Sequence, residues 1–200
     1  MRTTTERRVL FSNRRHDGRQ VGKTPLHSLF LCGAAAFALV MTAPTGARAE
    51  EPGNPVAVSQ DEDGIWRDKA GDPTFKIEAD GTVDWMTYSG FRRYHSECHV
   101  CHGPDGEGSS YAPALRNSLK TIGYADFFGI VAGGRKNLGS GKENVMPEFA
   151  ENKNVMCYLN DIYVYLRARS QDAIPRGRPA NHAEKPAAFD ANQAKCMEAH

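Results

Sequence analysis

Cys98-His99-Val100-Cys101-His102 is the stretch whose reading decides the fold. Two thiols three positions apart, followed at once by an imidazole, have the spacing of a covalent haem attachment site. Cys98 and Cys101 can add to the two porphyrin vinyl groups as thioethers, which leaves His102 beneath the iron as proximal ligand. A bare C-x-x-C would be weaker evidence, since redox-active dithiols and zinc sites share it. His95 and His99 lie near, but no second C-x-x-C completes a closed zinc site, and no βαβ context surrounds the motif as a thioredoxin-like site requires.

Outward toward the N-terminus, residues 1–49 read as an export signal: a basic lead, an apolar run over residues 29–41, and Ala47-Arg48-Ala49 as a small-x-small site with cleavage after Ala49. A run of 13 residues is short for a bilayer, so a periplasmic protein without a stable membrane span is expected. The lead carries eight of the 25 Lys+Arg and two of the 24 Asp+Glu, so the chain beyond residue 49 is acidic, with 17 basic against 22 acidic residues. That balance disfavours nucleic acid and favours a partner with a basic docking face. About 150 residues remain, enough for one domain around a single haem.

Of the five cysteines, Cys32 leaves with the lead and the haem motif uses two. In an oxidising compartment a disulfide is the natural use of Cys157 and Cys196. The alternatives are a buried free Cys157, with Cys196 loose in the tail or bridging two chains.

Residues 50–63 lack periodicity and read as a mobile arm; residues 64–84 read as a small hairpin with turns at Ala70-Gly71-Asp72-Pro73 and Asp80-Gly81. Asp84 can cap a helix beginning at Trp85, on which Gly90, Phe91 and Tyr94 share a face. Gly90 would admit a second helix. After His102 a glycine-rich loop, residues 103–110, must fold back. In Tyr111-Ala112-Pro113-Ala114-Leu115 the Pro113 carbonyl is placed to accept from His102 Nδ1, with an ordinary loop proline as the alternative. Residues 124–132 have helical spacing and stop at Gly133-Gly134. Residues 135–144 read as a polar loop ending at Val145-Met146-Pro147. Residues 154–169 predict the clearest helix, with Arg167 and Arg169 complementing its dipole. Residues 171–200 read as a proline-rich strap or tail, with Arg176-Gly177-Arg178 a partner-docking element or a solvated linker.

An iron that shuttles electrons without rearrangement needs a sixth ligand, and a thioether raises its potential. Met146 is the best-placed candidate: it lies on a loop well past His102, and Pro147 restricts its backbone. Met86, Met156 and Met197 are its rivals, while His95 and His99 stand too close to His102 in sequence to cross the ring.

Together these motifs resemble the class I c-type cytochromes. More narrowly, Tyr94-His95-Ser96-Glu97-Cys98-His99-Val100-Cys101-His102-Gly103-Pro104-Asp105-Gly106 and Val155-Met156-Cys157-Tyr158-Leu159 are similar to the four-cysteine cytochromes of methanol metabolism in methylotrophs, over residues 66–186. The resemblance implies a mainly α, class I cytochrome c fold over residues 64–170, with a small N-terminal hairpin and an extended C-terminal tail. It implies one covalent haem c on Cys98 and Cys101, iron held by His102 and Met146 with Pro113 in support, and Cys157 with Cys196 as the extra pair. It also implies a function without catalytic residues, as a single-electron acceptor of a quinoprotein (PQQ-dependent, lanthanide-type) methanol dehydrogenase that passes charge to a downstream cytochrome or oxidase. A peroxidase-like haem enzyme or ligand sensor is one alternative. A cytochrome subunit fixed within another oxidoreductase is the other.

Overall fold

A computed structural model describes residues 53–139 and 142–199; the expected export signal and its cleavage site lie outside them. In chain order the elements are β1 (Ser59–Gln60), β2 (Trp66–Arg67), β3 (Pro73–Thr74), α1 (Trp85–Glu97), α2 (His99–His102), a 3-10 turn at Pro104–Gly106, α3 (Leu115–Ser118), α4 (Tyr124–Gly133), β4 (Arg135–Gly139), β5 (Lys142–Met146), α5 (Lys153–Met156), α6 (Leu159–Ser170) and α7 (Ala187–Glu198).

The crossing of α1 and α6 is the frame. Asp84 starts α1 by accepting the Thr87 N–H at 3.0 Å and the Thr87 hydroxyl at 2.5 Å, satisfying a first-turn donor as the sequence predicts. Six residues further on, a Cβ on Gly90 would stand 1.9 Å from the Asp161 carbonyl and 2.8 Å from the Tyr165 Cβ, so only glycine permits this approach. Beside it Phe91 meets Tyr165 edge-on at 5.7 Å, and the fully buried Tyr94 ring lies 5.6 Å from Tyr165. Leu119 of the α3–α4 connection and Phe127 and Val131 of α4 close the same core against Val155, Ile162 and Leu166.

The predicted hairpin widens into a three-stranded antiparallel sheet, because part of the stretch read as an arm joins it: Gln60 pairs with Trp66, and Trp66 with Thr74. Its anchor is Arg167. That side chain is 1% exposed, donates to the carbonyls of Gly53 (2.7 Å) and Pro73 (2.9 Å), and pairs with Asp68 at 2.9 Å. The sequence alone puts Arg167 and Arg169 at the helix end as partners of its dipole; both are buried, and they tie segments distant in sequence to α6.

Three further differences have local causes. Residues 135–144 form most of a hairpin rather than a loop, with Arg135 opposite Met146; its strands are largely polar and lack the alternation that marks a half-buried strand. The long helix over 154–169 is two: Asn152 accepts the Asn154 N–H at 3.0 Å to start α5, and Tyr158 (φ −123°, ψ 17°) breaks the run before α6. Residues 187–198 of the tail are helical. Cys157 at the break meets Cys196 of α7 in a disulfide with Cα atoms 5.7 Å apart, closing a separation of 39 residues and stabilising the fold by about 4 kcal/mol in the chain-entropy picture.

The strap before α7 is bound rather than a solvated linker. Arg176 and the Gly177 N–H reach the Asp105 carboxylate at 3.3 and 3.0 Å, and Arg178 bonds the Tyr88 hydroxyl. Val83 exchanges backbone bonds with the Asn181 carbonyl and the Ala183 N–H. Among the described residues no helix is long and apolar enough to cross a membrane.

Candidate functional site

α1 delivers the chain to Cys98, whose N–H bonds the Tyr94 carbonyl at 2.9 Å. There the backbone departs from helical geometry (φ −114°, ψ −30°) and α2 starts anew, with His102 N–H on the Cys98 carbonyl at 3.0 Å. One turn therefore spans the two thiols and the imidazole. Gly103 follows with φ +72°, and a Cβ there would lie 2.1 Å from the Gly108 carbonyl. The loop closes because Gly108 N–H returns to the His102 carbonyl at 2.7 Å and the Tyr94 hydroxyl caps the Gly103 carbonyl at 2.5 Å.

His102 is 8% exposed, and its Nδ1–H donates to the Pro113 carbonyl at 3.0 Å. A carbonyl only accepts, so of the two neutral tautomers the bond selects the one with the proton on Nδ1 and the lone pair on Nε2. The expected His102–Pro113 pairing is thus present in the geometry.

The thiols of Cys98 and Cys101 are free, the first half-buried and the second exposed. Burial, with Glu97 and Cys101 adding, pushes the Cys98 thiol up to about 12. A redox-active dithiol is favoured by the opposite, a lowered thiol pKa.

Met146 ends β5, half-buried, and packs against the same core cluster as Cys98, Leu115 and Phe149. Gly134, at φ +71°, lets the Met146 carbonyl come within 2.7 Å of where a Cβ would stand. Of its rivals, Met86 is buried in a separate cluster with Ile65 and Val164, and Met197 is exposed; Met156 packs on the cluster that holds Met146. His95 and His99 are both turned back onto α1, through Nδ1 to the carbonyls of Phe91 (2.8 Å) and His95 (2.9 Å).

Asp105 is the residue that sequence reasoning missed. It adopts φ +58° in the turn after the motif and is 5% exposed. Burial alone would raise its carboxyl, but the Gly177 N–H, Arg176 and Tyr165 hold it below the ordinary carboxylate value, with His95 adding. Its carbonyl accepts from Arg169 at 3.3 Å, and Arg169 also pairs with Glu107 at 2.8 Å. The loop after the thiols is thereby fixed to α6 and to the strap. Pro104-Asp105-Gly106 carries a local signal, since Asp tolerates left-handed backbone, but apart from His95 its partners lie 60 or more residues away.

The donor set fits a covalently held haem: two free thiols on one turn, a tautomer-fixed imidazole and a half-buried thioether packed on the shared core.

No protein-family model matches the chain. It is 54% identical over 136 residues to cytochrome c-553I of Paracoccus denitrificans, covering 68% of this chain and 60% of that protein. It is 41% identical over 96 residues to cytochrome c-555 of Methylococcus capsulatus, covering 48% of this chain and 72% of the relative. The crystal structure of the c-type cytochrome XoxG from Methylobacterium extorquens AM1 superposes with a TM-score of 0.66 at 54% identity, covering 71% of this chain and 86% of the other.

Proposed function

Because the chain belongs to the class I c-type cytochromes and its cofactor is covalent haem c with iron, we propose that it is a periplasmic one-electron carrier, not an enzyme, exported by the signal in residues 1–49. Its donor is a PQQ-dependent, lanthanide-type methanol dehydrogenase, and it delivers to a downstream cytochrome or oxidase. Haem supplies a metal centre that changes charge by one unit. Cys98 and Cys101 would hold it through thioethers, and His102 Nε2 and the Met146 thioether would be the donors to iron.

The observation that carries this reading is the His102–Pro113 bond, which makes Nε2 the basic nitrogen and stops the ring from turning. A thioether joined with an imidazole as iron donors would favour the reduced state, as a carrier with a raised potential requires. A closed sixth position also separates a carrier from a peroxidase or sensor, and the two neighbouring histidines are engaged with backbone rather than arranged as distal acid–base groups.

A reduced quinone holds two electrons and this carrier takes one, so two brief encounters serve each donor turnover, which calls for a small, readily broken contact. Val100 and Tyr111, 76% and 74% exposed, border the attachment turn and suit such a contact. Tyr111 is presented by a built turn, its N–H on the Ser109 hydroxyl at 3.0 Å.

Mixing the ferric protein with a lanthanide-loaded quinoprotein methanol dehydrogenase and methanol should reduce the haem in single-electron steps. Absence of reduction overturns the donor. Rapid carbon monoxide binding by the reduced protein, or peroxide turnover, overturns the closed sixth position. Co-sedimentation of the native protein with a larger oxidoreductase overturns the free carrier.

A further inference from the structure

A cleft of about 260 Å³ lies between α1 and α7, away from the attachment turn. Trp85, Ser89, Arg92 and Arg93 follow one another at helical spacing and form one wall; Phe189 and Gln193 of α7 form the other. Nothing in the carrier reading uses it.

Its polar lining is mostly donors: the Asp190 carboxylate also lines it but is paired with Lys185, and Gln193 adds an amide. Among the described residues the buried Trp85 indole N–H has no hydrogen-bond partner, a costly arrangement for a buried donor. Arg92 has no carboxylate within ion-pair reach among the described residues. Arg93 stacks its guanidinium 3.4 Å above the Tyr158 ring, and the acidic group it faces, Asp161, is bonded to the Ser89 hydroxyl at 2.6 Å. Lys185 at the rim is satisfied by Asp190 at 2.6 Å. The cleft is therefore locally positive on a chain that is acidic beyond residue 49.

Its other lining is aromatic, from Trp85, Tyr158 and Phe189. The volume exceeds what a bare oxyanion fills and lies near the lower end for small-molecule pockets. Planar guanidiniums bind carboxylates through paired N–H donors and stack on flat rings. We propose that this cleft binds a small aromatic carboxylate, its acid group held by Arg92 and Arg93 and its ring against the aromatic lining. α7, joined to the α5–α6 break by the Cys157–Cys196 disulfide, holds the second wall in place.

The chain has two tryptophans, so the indole signals of the reduced, isotope-labelled haem protein report the site with an internal control. Titration with benzoate should move the Trp85 indole resonance saturably and leave Trp66 still. Benzyl alcohol, which lacks the charge, and inorganic phosphate, which lacks the ring, should bind more weakly. Arg92→Gln should weaken benzoate roughly tenfold while the haem absorption spectrum stays unchanged. An unmoved Trp85 resonance, benzyl alcohol or phosphate binding as well as benzoate, or undiminished affinity in Arg92→Gln overturns the proposal.

Discussion

The carbonyl of Pro113 accepts the Nδ1–H of His102 at 3.0 Å, across eleven positions of the glycine-rich loop. The bond selects one tautomer in a ring already nine-tenths buried. In the reduced protein the His102 Nδ1 proton should be protected from solvent exchange at neutral pH. Pro113→Ala keeps the carbonyl but frees its backbone, and should speed that exchange. Exchange at the rate of an exposed imidazole in the parent protein would contradict the assignment.

Met146 and Met156 pack on one cluster, so the sixth ligand is decided by which thioether the iron needs. Met146→Ala should abolish the long-wavelength ferric absorption given by a thioether–iron bond and lower the reduction potential. Met156→Ala should leave both in place and cost about 1 to 2 kcal/mol, less than a fully buried methionine, because Met156 is only half-buried. The reverse pattern would exchange the two roles.

Gly90→Ala tests the helix crossing. With the Asp161 carbonyl 1.9 Å from the new methyl, α1 and α6 must separate, and the loss should reach about 3 kcal/mol or more. Gly129, which has nothing within 4 Å of a Cβ among the described residues, is the control: Gly129→Ala on α4 should be neutral to stabilising by up to about 1 kcal/mol. Denaturant midpoints of the haem-loaded proteins measure both.

Asp161 gives the fold a pH dependence opposite to that of an ion-paired carboxylate. Burial pushes its carboxyl up to about 7, with Asp84 adding and Ser89 and Arg93 opposing. The folded chain thus keeps a proton that the unfolded chain releases near 3.8. Between these values the folded state binds more protons, so stability is full at the acid end and falls as pH rises, by roughly 4 kcal/mol in total. Asp161→Asn should flatten this part of the profile. A parent profile already flat between pH 4 and 7 would contradict the raised value.

Replacing Cys157 and Cys196 together by serine should remove about 4 kcal/mol and free α7 first. Faster amide exchange over residues 187–198, with the haem spectrum retained, is the expected signature. Uniform loosening of the whole chain would show instead that α7 is integral to the core.

The local chemistry was written in the sequence. The C-x-x-C-H spacing, the Asp84 cap, the Gly90 approach, the Pro113 position and the end of α4 at its glycines each depend on residues a few positions apart, or on a side chain that only one geometry tolerates. Tertiary structure alone decided the rest. Arg167 and Arg169 satisfy the rules for a solvated helix end equally well, and they are buried because carbonyls and carboxylates from Gly53, Asp68, Pro73, Asp105 and Glu107 converge on them. The 135–146 hairpin and the bound strap are likewise held by backbone and polar contacts that leave no hydrophobic period. Such contacts are set by where distant segments meet, which periodicity along a chain does not encode.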